Sequence, residues 1–138
     1  MAHVFSASFA CAVCGNVAAV VSLVPPGAAA PRTGPQTPET LSADSITAQW
    51  WRLSIDGGPV PLTHGLVGEP LPVAAALDAL DLEALAGFNP EYANFRCPQC
   101  RLAYCRDHWR GVHPVFDDGF YDATYGWCPE GHKVMIDD

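Results

Sequence analysis

The sequence predicts a small α+β domain whose short elements need more than apolar burial to hold them. Three observations lead there. The chain has 138 residues, about one domain's worth, and 49% of them are apolar. Thirteen prolines and twelve glycines mark much of it as turn and loop. Six cysteines and five histidines fall largely into close pairs near the two ends. Small domains bury a smaller share of their surface than large ones, so the paired residues are the candidates for the missing stabilisation.

The elements follow in order. Val17 to Val24 is rich in Val and Ala and reads as a strand. Pro25 to Pro38 is a Pro/Gly/Ala stretch without apolar periodicity and reads as a linker. Ile46 to Ile55 reads as a second strand, and Asp56-Gly57-Gly58 is a hairpin-type turn from which Pro59 to His64 returns. Pro70 and Pro72 introduce a helix over Val73 to Ala86, stopped by Gly87. Val73, Leu77, Leu80 and Ala84 fall on one face of it. Asn89-Pro90-Glu91-Tyr92 reads as a capped single turn. From Phe95 the chain is aromatic and turn-rich, and no repeat of 20 to 50 residues is visible.

Residues 1–138 are therefore read as one domain. A ligand-bearing core of 9–16 plus 95–134 is interrupted by an insertion over 17–94, with a linker over 25–45.

The formal charge of −8 speaks against a non-specific grip on nucleic acid or anionic lipid, both of which need basic patches. Arg96, Arg101, Arg106 and Arg110 allow a local basic face and nothing more extended. No apolar run is long enough to span a bilayer. The segment from Met1 to Cys11 lacks the positive and apolar regions of a secretion signal, so a cytoplasmic protein is expected. Cysteines there stay reduced, and regular spacing reads as metal binding. Three disulfides, with fifteen possible connectivities, are the competing reading.

Four pairs carry the chemistry: Cys11 and Cys14, Cys97 and Cys100, Cys105 and His108, Cys128 and His132. The first two are C-x2-C, the third C-x2-H and the fourth C-x3-H. Each can chelate one ion through a tight turn and leave two tetrahedral positions for another pair, so four pairs make two closed zinc sites. Only four residues separate Cys100 from Cys105, which makes those neighbouring pairs cramped partners. Interleaving puts Cys11, Cys14, Cys105 and His108 on one zinc and Cys97, Cys100, Cys128 and His132 on the other. Each site then sums three thiolates and one divalent ion to −1, whereas sequential pairing gives one site of −2 and one neutral. The interleaved arrangement is expected, with two Zn2+ per chain.

The order of pairs, with C-x2-C-x4-C-x2-H in the middle, resembles the cross-braced treble-clef zinc fingers of the RING, PHD and FYVE types. The stretch Phe95-x-Cys97-x2-Cys100-x3-Tyr104-Cys105-x2-His108 is also similar to the finger of stress-associated proteins. Cys11-Ala-Val-Cys14 and Trp127-Cys128-Pro129 are similar to RING. The resemblance covers less than half the chain. It implies a cross-brace treble-clef core with a β-hairpin and helix inserted, and through the stress-associated type it offers His113 as a substitute for His132 or His108. His3 and His64 read as ordinary loop or surface histidines.

A catalytic zinc keeps an open position, and eight ligands for two ions leave none. Asp117, Asp118 and Asp122 would suit a general base, but beside Gly119 they read as a solvated turn. A C-x2-C pair could also serve redox chemistry, although coordination keeps zinc-bound thiolates quiet. No catalytic residue or organic cofactor is expected. Trp50, Trp109, Trp127, Tyr121 and Tyr125 are residue types favoured at interfaces. In a strand Trp50 and Arg52 share one face, opposite Trp51, Leu53 and Ile55, and the former is the candidate partner contact. The expected function is a zinc-stabilised protein-interaction or adaptor module with a protein partner, no membrane and no chemistry of its own. A RING-like ligase subunit for a ubiquitin-like conjugation system is the first alternative, and a single-stranded nucleic-acid-binding protein using the Arg96-to-Arg110 face is the second. The sequence sets no oligomeric state.

Overall fold

The computed structural model describes residues 3–31, 49–60 and 62–138. Strands β1 (Phe5–Ala10), β2 (Val17–Val24), β3 (Arg52–Gly57) and β4 (Leu62–Leu66) form an antiparallel sheet in that order. In β1, Ala7 and Phe9 are buried while Ser6, Ser8 and Ala10 are exposed, the period-two pattern of a strand with one wet face. The middle strands β2 and β3 are buried along almost their whole length, which is why β2 is rich in Val and Ala. The strand expected from Ile46 begins only at Arg52, and positions 46–48 lie outside the described residues.

The turn at Asp56-Gly57-Gly58 is where the sequence places it. Gly58 has φ +79, and a Cβ there would lie 2.9 Å from Cβ of Phe95. Its N–H donates to Ala18 O at 2.9 Å, so the turn is seated on β2. Of the expected linker, 32–45 lies outside the described residues. The part before it is packed: Pro25 and Ala30 are buried, and Arg52 Nη2 donates to Ala28 O at 2.8 Å.

The single helix expected over Val73 to Ala86 is two, α1 (Pro70–Asp78) and α2 (Leu82–Phe88). Leu80 breaks it with φ +53, a left-handed conformation that no straight helix accommodates. Asp81 then caps α2, accepting from Ala84 N at 3.0 Å. Val73 and Leu77 are buried as expected of one face, but Leu80 is 58% exposed. A 3-10 turn (Pro90–Ala93) follows, capped by Asn89 as the sequence suggests, with Asn89 Oδ1 accepting from Glu91 N.

The remainder is a two-stranded ribbon, β5 (Arg96–Cys97) with β6 (Leu102–Ala103), a 3-10 turn (Arg106–His108), and a three-stranded antiparallel sheet. That sheet is β7 (Arg110–Asp117), β8 (Phe120–Trp127) and β9 (Lys133–Asp137) in order. Its hairpin turns on Asp118 (φ 53) and Gly119 (φ 84), the two left-handed residues of a type I′ loop. Gly126, Val134 and Ile136 are buried. Phe95, fully buried, joins this half to the first sheet, its ring 5.7 Å from Phe9. The result is a small mixed domain, mostly antiparallel sheet with two helices.

Candidate metal centres

The eight paired residues come together as two groups. Ligand atoms of Cys11, Cys14, Cys105 and His108 lie within 4.8 Å of one another, and so do those of Cys97, Cys100, Cys128 and His132. The chain positions them with local turns of one kind. After Cys14, Gly15 takes φ +76 and donates to Cys11 O at 2.9 Å. After Cys100, Arg101 takes φ +60 and donates to Cys97 O at 2.8 Å. Backbone N–H groups also point at sulfur, Val13 N to Cys11 Sγ at 3.4 Å and Cys100 N to Cys97 Sγ at 3.5 Å. Such donors steady a thiolate. The first turn is the β1–β2 connection itself, pinned by Ala12 N to Ala103 O at 2.9 Å.

Cys105 and His108 sit on the 3-10 turn, with His108 N donating to Cys105 O. Cys128 and His132 bracket the β8–β9 turn, with Cys128 N donating to His132 O. No ligand residue lies on α1 or α2.

Zinc bonds of about 2.3 Å to sulfur and 2.0–2.1 Å to nitrogen in a tetrahedron set S···S edges near 3.8 Å and S···N edges near 3.5 Å. In the first cluster Cys14 and Cys105 Sγ are 3.7 Å apart, and His108 Nδ1 is 3.6 Å from Cys11 Sγ and 3.1 Å from Cys105 Sγ. In the second, Cys100 and Cys128 Sγ are 3.7 Å apart. His132 Nδ1 stands 3.6, 3.3 and 3.4 Å from the sulfurs of Cys97, Cys100 and Cys128. These are the separations of ligands around one small ion, and both clusters could hold a metal.

The thiols behave as such a donor set should. Burial pushes Cys11 up, but hydrogen bonds from the backbone at Cys105, Cys14 and Val13 together bring it down to about 6. Burial and then the Cys14 thiol push Cys105 up to about 11. In the second cluster burial raises Cys128, yet bonds from the backbone at His132 and Glu130 leave it lowered. A hydrogen bond with Tyr104 lowers Cys100, but burial and the Cys128 and Cys97 thiols beside it push it up to about 11. Each cluster thus has one thiol lowered and another raised.

Tyr104 links the clusters: it precedes Cys105 in sequence, and its hydroxyl meets Cys100. It is buried, and burial pushes its hydroxyl up. Trp109 donates Nε1–H to Tyr104 O at 3.0 Å and packs edge-on to its ring. Trp109, of a residue type favoured at interfaces, is core here, the commoner place for any one tryptophan. The neighbourhood of Tyr104 is not something spacing alone announces.

The other candidates fall elsewhere. His113 joins neither cluster; it stacks on Trp127 at 5.6 Å, with Nδ1 2.6 Å from Gly111 O. His3 is exposed beside Phe5, and His64 lies on β4 opposite Ser54. Asp117 and Asp118 are exposed at the β7–β8 hairpin end, and Asp122 is exposed on β8. The proposed contact face of Trp50 with Arg52 is not formed, because Trp50 is off the strand and exposed while Arg52 is only 2% exposed. Of the four arginines, Arg96 is held by Glu83 at 2.7 Å and Arg101 reaches the same carboxylate at 3.3 Å. Arg106 and Arg110 make no ion pair among the described residues. The local basic face is thereby halved. No helix among the described residues is long and apolar enough to cross a membrane.

A family model described as a domain of unknown function (DUF8328) matches residues 2–138. The chain belongs to the DUF8328 family. No curated protein and no solved structure matches it. In this DUF8328 chain the two clusters and the turns that hold them lie wholly within the matched span.

Proposed function

We propose that this DUF8328 chain is a zinc-stabilised protein-interaction module, with two closed structural zinc sites of three cysteines and one histidine each. The observation that carries the reading is the pair of four-residue clusters, which use all six cysteines and have the donor separations of tetrahedral zinc. Four ligands per ion leave no position for substrate or reactive water, so the metals hold shape. Their interleaving, first pair with third and second with fourth, resembles the cross-brace of the RING, PHD and FYVE fingers and supports this reading. A reducing compartment such as the cytoplasm suits six thiols kept for metal.

The outer face of β7–β8–β9 is the contact surface this reading favours. Residues opposite one another in antiparallel strands share a face. Arg110, Trp127 and Lys133 make one such row, and His113, Tyr125 and Met135 the next. Lys133 Nζ lies 4.7 Å from the Tyr125 ring centre, and Met135 is 54% exposed. Aromatic, Arg and Met side chains are the types enriched in interfaces.

The test has two parts. Elemental analysis of protein purified without added metal should give two zinc ions per chain. A protein co-purifying from the native host should be lost from the Tyr125→Ala/Met135→Glu double variant while the zinc content stays at two. Loss of zinc with no partner in either protein would contradict the module.

A second reading, a RING-like ligase subunit, is supported by Val13 inside the first knuckle, 54% exposed, and by Pro129 directly after Cys128. Its test is accelerated discharge of a charged ubiquitin-like conjugating enzyme by the wild type and not by Val13→Asp.

A further inference from the structure

The two clusters differ in one respect that bears on chemistry. Cys14 is exposed, and it is the only exposed cysteine of the six; Cys100, its counterpart in the second cluster, is half-buried, and the other four are buried. Every residue from Ala12 to Val17 around Cys14 is exposed as well. The sulfur of Cys105 lies 3.7 Å away, across the cluster. A disulfide needs sulfurs at about 2.05 Å, so a closure of under 2 Å would join them. The closure falls to Cys14 on the solvent-facing β1–β2 connection, directly before Gly15 at φ +76.

We infer that Cys14 and Cys105 form a peroxide-sensitive modification site, through which the first cluster gives up its zinc while the second keeps its own. This rests on reading both clusters as zinc sites. The Cys14 thiolate attacks one peroxide oxygen, the O–O bond breaks, and with one proton a sulfenic acid and a water result. The Cys105 thiolate then attacks the Cys14 sulfur, the S–O bond breaks, and the leaving hydroxide takes a second proton as water. Two thiolates are oxidised by two electrons to one disulfide, and one peroxide is reduced to two waters. Cys11 and His108 alone remain for the ion, too few to retain it.

Coordination ordinarily quiets a thiolate, and access decides which one escapes that protection. In the second cluster access is poorer, because Cys97 and Cys128 are buried and Cys100 is half-buried and hydrogen-bonded to Tyr104. Emptying the first cluster also leaves the sheet in place. β1 is paired to β2 along its length, with Phe9 buried against Phe95. The device therefore exchanges the first ion for a Cys14–Cys105 tether without dismantling the domain.

The experiment titrates the two-zinc protein with hydrogen peroxide. A chelating dye reads released metal, and non-reducing peptide mapping after thiol blocking locates the disulfide. The first ion should leave at least tenfold faster than the second, together with a Cys14–Cys105 bond, and reductant plus zinc should reverse both. Cys14→His keeps four ligands without the exposed thiol and should slow the first release at least tenfold, whereas Cys100→His should leave it fast. Equal release rates, earlier loss from the Cys97 cluster, or a disulfide between any other pair overturns the inference. Protein that carries no zinc at all counts instead against the zinc reading beneath it.

Discussion

Cys11 Sγ and His108 Nδ1 lie 3.6 Å apart although ninety-seven positions separate them in the chain. Closing so long a loop costs entropy. The knuckle that carries Cys11 offers little in return, because residues from Ala12 to Val17 are exposed. Structural zinc supplies apparent binding energies of about 10–16 kcal/mol in small fingers, as much as a typical domain's whole stability. A zinc ion held by both residues would make this contact durable.

Cys11→Ser should therefore lose or greatly weaken one zinc and shift the His108 ring signals in NMR spectra. The ion on Cys97, Cys100, Cys128 and His132 should stay. A His108 that keeps its metal-bound shift while signals of Cys97 and Cys100 move would assign the pairs differently.

Zinc uptake should release fewer than six protons from the six thiols at pH 7. Cys11, lowered to about 6, is already ionised there, whereas Cys105 and Cys100, held near 11, must give theirs up. As pH falls through 6, Cys11 takes up a proton, so the number released on binding rises and affinity drops. Calorimetry in buffers of different ionisation enthalpy counts these protons. A count of six at pH 7 would contradict the lowered Cys11.

Gly58→Ala should destabilise the fold by about 2–3 kcal/mol, because the new Cβ meets Phe95 in a left-handed turn. Gly87→Ala in α2 meets nothing within 4 Å and should stabilise by about 0.5–1 kcal/mol through helix propensity and a less flexible unfolded chain. Urea midpoints of the two zinc-loaded variants check the opposite signs.

Leu80 occupies a left-handed conformation and is mostly exposed. Leu80→Gly should remove that strain and stabilise by roughly 0.5–1 kcal/mol, the left-handed cost less the entropy glycine loses on folding. A fall in melting temperature would mean that the exposed leucine contributes packing instead.

What the sequence made legible was mostly local chemistry. The Asp56-Gly57-Gly58 turn and the Asn89 cap announce themselves because their residue types are demanded by backbone geometry. So does the Val17–Val24 strand, whose wealth of Val and Ala reflects burial on both faces. Ligand spacing and net site charge pointed to the same groups of four that the fold brings together. The helix over Val73 to Ala86 misled, since apolar periodicity continues through Leu80 and carries no mark of its left-handed backbone. β7 and β8 were hidden because their exposed, bulged strands lack clean alternation, although Asp118-Gly119 between them was the available signal. Arg52 was misread because the central position of β3, buried on both faces, comes from pairings along the chain that no single strand reveals.

The most direct test of the account is native mass spectrometry of the full chain purified without added metal. Two zinc ions per chain are predicted, with all six cysteines free to alkylate once the protein is unfolded in chelator. One ion or none, or a mass lowered by three disulfides, would contradict two closed metal sites.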